Sequence, residues 1–153
     1  MRRATACGLA VLVLGAVACG KSEPPPPPPP SVTAPPTTLP APVSVEAVSL
    51  GNAIGPDKKV ATPAESFAAK DTIYASVDTA GTGHAKLRAL WSFVKGQKTA
   101  KVDETTIEFE SSGPAVNEFH VMKPSGWPKG DYKVEIFLGD AAAPAMTKSY
   151  KVG

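Results

Sequence analysis

The chain has 153 residues and a mass of 15.7 kDa; 42% of it is hydrophobic and 20% charged, with 17 Pro and 13 Gly. That length allows one domain of ordinary size. Its 16 Lys and Arg against 14 Asp and Glu give a formal charge of +2, which loss of Arg2 and Arg3 with a leader cancels, so no basic surplus points to a nucleic-acid partner.

The amino terminus reads as an export signal. Met1-Arg2-Arg3 is a basic start, Ala4 to Ala18 carries no charge, and the small residues Ala16-Val17-Ala18 precede Cys19. A basic n-region, a short apolar h-region and a small-residue cleavage site predict a secretory signal over 1–18, cut between Ala18 and Cys19. A membrane-spanning helix needs about 20 apolar residues, more than this run supplies. Gly15-Ala16-Val17-Ala18-Cys19 resembles the lipobox of bacterial lipoproteins, with Ala16 where Leu is commonest. The resemblance implies that Cys19 becomes the acylated first residue of the mature chain, while Cys7 leaves with the signal. Each buried methylene contributes about 0.8 kcal/mol, so two or three acyl chains anchor firmly where one does not. No thiol pair then remains for a disulfide, and the fold must rest on its hydrophobic core. The resemblance also implies a lipid anchor in a bacterial cell envelope. Gly20 rather than Asp after the cysteine implies the outer membrane where the host has two.

Residues 19–42 predict a linker. Seven consecutive prolines, Pro24 to Pro30, favour polyproline II, because proline fixes φ and donates no hydrogen bond. At about 3.1 Å per residue they form a stiff spacer of roughly 22 Å, and Ser31 to Pro42 continues it more loosely. Such tracts also serve as ligands for aromatic grooves or as glycosylation sites; directly behind an anchor, the spacer reading fits the position.

From Val43 onward the apolar period is two, the strand signal, and 43–153 is predicted to be a single domain. Ile73, Ala75 and Val77 alternate over 72–78. Leu87, Ala89, Trp91 and Phe93 oppose Lys86, Arg88 and Ser92 over 85–94. Ile107 and Phe109 alternate with Thr106, Glu108 and Glu110; Tyr132, Val134, Ile136 and Leu138 alternate with Lys133 and Glu135. Shorter strands are expected at 43–50, 116–122 and 146–152, with Gly- and Pro-rich turns between. Thr62-Pro63-Ala64-Glu65 fits a capping box, leaving a short helix or an irregular loop open there. About seven strands in about 100 residues predict an all-β antiparallel sandwich. Trp91, on the third long strand, and the run Trp127 to Val134, with Tyr132 as a tyrosine corner, resemble immunoglobulin-like domains. Because Val134 stands where antibody domains have Cys, the likeness is to fibronectin III-like and bacterial Ig-like members. It implies that Trp91 and Tyr132 are structural core residues and that the Tyr132 hydroxyl bonds back to upstream backbone.

Motifs that carry chemistry are sparse. The sequence has no HExxH, no G-x-S-x-G elbow and no phosphate-binding glycine loop, so no catalytic residues, cofactor or small-molecule substrate are assigned. Asp103, Glu104, Glu108 and Glu110 are expected on a solvated strand face. His120-Val121-Met122 puts an imidazole and a thioether on one strand face, a pairing suited to Cu(I). It resembles the H-x-M element of periplasmic copper-binding proteins, with only His84 and Met146 left to complete a site. Trp127 and Tyr74 are candidates for a binding patch, or, for Trp127, for packing over the sandwich end. Together these features point to a lipid-anchored envelope protein that presents a non-catalytic domain to another envelope protein. The alternatives are a copper carrier using His120 and Met122, or an accessory or inhibitor domain for a partner enzyme.

Overall fold

The computed structural model describes residues 41–153; the predicted signal 1–18, Cys19 and all but the end of the 19–42 linker lie outside the described residues. Eight strands follow in order: β1 (Ser44–Gly51), β2 (Ser66–Phe67), β3 (Ile73–Ala80), β4 (Thr82–Lys95), β5 (Lys98–Ser112), β6 (Ala115–Val121), β7 (Gly130–Leu138) and β8 (Met146–Val152). They form two sheets, β1-β3-β6 and β2-β8-β7-β4-β5. Every pairing is antiparallel except the two-residue contact of β2 with β8, which is parallel.

The alternation seen in the sequence sets the faces. Val48, Leu50, Ile73, Ala75, Val77, Phe119 and Val121 from one sheet meet Leu87, Ala89, Trp91, Tyr132, Val134 and Ile136 from the other in one buried cluster. Burying such side chains contributes about 1.5–3 kcal/mol each, the main force that holds the sheets together. Thr62 to Glu65 is not helical. Ala64 N donates to Leu50 O at 2.8 Å and Lys151 N donates to Glu65 O at 2.8 Å, so its backbone groups serve β1 and β8 instead of a helical turn.

A long-range backbone hydrogen bond ties down one end of the sandwich. Thr82 N donates to Ala41 O at 2.9 Å, bringing the start of the described chain against the β3–β4 corner at Gly81. Gly81 has φ +104°, and a Cβ there would fall 2.3 Å from Pro42 O, so only glycine fits. At the opposite end lie the β4–β5 turn, the β6–β7 loop and the carboxyl terminus.

Candidate interaction surface

The far end of the sandwich is built from aromatic rings. Trp91 is fully buried, and Tyr132 and Tyr150 are each 2% exposed. The Tyr132 and Tyr150 rings stack at 5.4 Å, while Phe93, Trp127, Trp91 and Phe67 approach them edge-on at 4.9 to 6.1 Å. Edge-on and stacked pairs contribute about 0.5–1.5 kcal/mol each beyond area burial. The Tyr132 hydroxyl donates to Pro128 O at 2.7 Å, which closes the expected corner, and Val134 two residues on is fully buried. Burial pushes the Tyr132 hydroxyl above the usual phenol range and the Tyr150 hydroxyl further still.

Trp127 belongs to this packing and not to a binding patch. It is 4% exposed, its Nε1–H donates to Asp71 O at 2.9 Å, and its backbone N donates to Ala69 O at 2.6 Å. These bonds clip the β6–β7 loop onto the β2–β3 connection, leaving Trp127 no free ring face as an anchor. Tyr74 remains half-buried on the outer face of the smaller sheet, with its ring 5.6 Å from that of His120.

His120 and Met122 sit where alternation puts them, outside, while Phe119 and Val121 point into the core. Met122 is 60% exposed, and His120 Nδ1 is engaged by Glu118 Oε1 at 2.7 Å. The two residues edge a shallow cleft of about 370 Å³ with Asp103, Lys123 and Trp127. The other proposed donors are not brought to them. His84 lies at the start of β4, by Pro42 and Gly139, and Met146 pairs with Ile136 toward the same end of the sandwich. His120 is instead opposite Tyr74, at the start of β3. No group of three or more His, Cys, Asp or Glu side chains is placed to hold a metal among the described residues.

The open feature is β5. It is the outermost strand of the larger sheet and runs for 15 residues, about 50 Å at a normal strand rise, where a typical strand has 3–10 residues. Of its residues only Ser111 is buried; Ile107 and Phe109 are half-buried against the core. One side pairs with β4 throughout, from Thr82 opposite Ser112 to Lys95 opposite Lys98, and among the described residues no strand pairs with the other side. Pairing passes from Trp91–Asp103 directly to Ser92–Lys101, so Val102 is an extra residue, a bulge in β5. Past the bulge, ordinary alternation divides the carboxylates that the sequence grouped. Glu104, Glu108 and Glu110 share the outward face, opposite Leu90, Lys86 and His84, while Asp103 lies opposite buried Trp91. Glu104 is held by the Lys101 ammonium and by Arg88 Nη1 at 3.3 Å, contacts that lower its pKa from the usual carboxylate range. Arg88 also covers the ring of Phe137, 4.0 Å from its centroid, which explains why Phe137 is only 6% exposed on the outward face. Asp140 is held low in the same way by Lys86.

A three-stranded β1-β3-β6 sheet faces a sheet in which β4 is flanked by β5 and β7, and the two are locked by a core Trp on β4 and a tyrosine corner entering β7. The fold is immunoglobulin-like. Among solved structures, a β-glucosidase from Erythrobacter marinus matches at 10% identity and a TM-score of 0.50, over 72% of this chain and 15% of that one. An immunoglobulin-like protein from Pseudomonas aeruginosa matches at 16% identity and a TM-score of 0.49, over 74% of this chain and 98% of that one. A β-glucosidase from Listeria innocua matches at 9% identity and a TM-score of 0.45, over 71% and 16% of the two chains. The chain thus corresponds to a small part of the β-glucosidases, and the likeness to the Erythrobacter enzyme is one of fold alone. No protein-family model and no curated protein matches the sequence.

Proposed function

We propose that this chain is a lipid-anchored bacterial envelope protein whose immunoglobulin-like domain acts without catalysis, by presenting its β5 edge to another protein. The observation that carries the reading is the long strand edge that no other strand pairs with among the described residues, because unpaired N–H and C=O groups are a ready template for an added strand. The anchor rests on Ala16-Val17-Ala18-Cys19 behind a basic start and an uncharged run, and the proline tract that follows supplies reach.

Two measurements test the two halves of this reading. Mass spectrometry of the mature amino terminus should find an acylated Cys19, and Cys19→Ser should release a folded protein into the soluble fraction. An unacylated Cys19 in the mature protein contradicts the anchor. A photo-crosslinker placed at Thr106 in the full chain should give one discrete adduct in intact cells, and one placed at Ser49 on β1 should give none. A discrete adduct from Ser49 alone moves the interaction surface away from β5.

A further inference from the structure

We infer that the partner strand on this edge is β5 of a second copy of the same chain, paired antiparallel about a two-fold axis at Thr105. The inference rests on the interaction reading of β5 above and names its occupant. It is carried by two observations that are independent of each other: the separation of charge along the strand and the position of the bulge.

The charges of β5 are sorted by sign. Lys98 and Lys101 lie next to the β4–β5 turn, where Lys95 adds a third cation, Asp103 and Glu104 follow just before Thr105, and Glu108 and Glu110 lie beyond it. Two copies laid parallel and in register would set each carboxylate beside its equal, and like charges directly opposite are destabilising. Two copies laid antiparallel bring the lysine end of one strand against Glu108 and Glu110 of the other. A two-fold pairing of this kind uses the same patch on both chains and generates each contact twice.

The bulge determines whether those charges can meet. Directly opposed residues of an antiparallel pair lie on the same sheet face. Lys101 and Glu108 are an odd number of positions apart, so in a regular strand they would point to opposite faces. The extra residue at Val102 reverses that parity: Lys101 lies opposite Ser92 and Glu108 opposite Lys86, both on the face turned away from the core. With Thr105 opposite its own copy and Val102 taken up by the bulge, Glu104 faces Thr106, Lys101 faces Glu108 and Thr99 faces Glu110. The pairing joins the two larger sheets edge to edge. Of the other strand ends open in that sheet, β2 is only two residues long and offers little to pair with.

The test uses the full chain carrying Cys7→Ser and Cys19→Ser, so that an introduced cysteine is its only thiol. Sedimentation should show a concentration-dependent dimer. Lys101→Glu and Glu108→Lys should each weaken it about tenfold, since each change sets like charges together at two symmetric places. The double variant should recover the dimer. Within a single chain the two changes disturb separate partners, Glu104 and Lys86, so intrachain damage would accumulate and not cancel. Thr105→Cys should oxidise to a disulfide-linked dimer and Ser112→Cys should not. A chain that stays monomeric, a double variant no better than the singles, or crosslinking through Ser112→Cys in preference to Thr105→Cys would each overturn the self-pairing. None of these bears on the Thr106 adduct, whose absence alone would count against the wider interaction reading.

Discussion

β5 and β7 are the two neighbours of β4 in one sheet, and they use their residues in opposite ways. β7 buries Tyr132, Val134, Ile136 and Phe137 within nine residues, while β5 buries only Ser111 in fifteen. Both alternate apolar with polar side chains, and both pair with β4 along its length. They differ in what lies beyond: β7 is hemmed in by β8 and the opposing sheet, and β5 is the last strand. A strand with the same local pattern is core in one place and an open edge in the other. Substitutions should therefore be costly in β7 and almost free in β5.

The largest effect is expected at the aromatic end. Trp91→Ala or Tyr132→Ala should each cost about 3–5 kcal/mol in denaturant unfolding, enough to threaten the fold. An unchanged melting temperature in either would break the core assignment. Gly130→Ala should cost about 1–3 kcal/mol, because Gly130 has φ +150° and an added Cβ would come 2.7 Å from the Phe93 ring. The two buried tyrosines then separate by hydroxyl. Tyr132→Phe should lose about 1 kcal/mol with the bond to Pro128 O, whereas Tyr150→Phe should be neutral or stabilising, since the Tyr150 hydroxyl has no partner among the described residues. Equal losses in both would contradict that distinction.

The smallest effect is expected at Glu104. Its folded pKa lies below the unfolded value, so its contribution is present above the ordinary carboxylate range and is lost as the pH falls through the folded value. Glu104→Gln should flatten that acid limb slightly and leave stability at neutral pH nearly unchanged. An effect as large as that of Trp91→Ala would show that β5 is not an open edge.

Much of the fold was legible from period-two alternation, because one buried face forces it. The strands over 72–78, 85–94 and 131–138 fall where the pattern placed them, and the Tyr132 corner closes on Pro128 O. What stayed hidden depends on neighbours distant in sequence. β2 exists only because Phe67 reaches β8, and Phe137, which alternation places outside, is covered by Arg88 from the adjacent strand. The reach of β5 back to Lys98 was missed because the polar run Asp103-Glu104-Thr105-Thr106 separates Ala100 and Val102 from Ile107; pairing with β4 carries the strand across it. The candidate edge was hidden for a related reason, since which strand lies last in a sheet is a property of topology. The exposed positions of His120 and Met122 were readable, but their distance from His84 and Met146 required the fold.

Amide hydrogen exchange along β5 tests the account most directly. In the parent chain the amides of β5 that point away from β4 should be protected by a partner strand. In Lys101→Glu they should exchange rapidly, while those pointing to β4 and all of β7 stay slow. Uniformly fast exchange along β5 in the parent, or protection that Lys101→Glu leaves untouched, would contradict a free edge that recognises its partner by charge.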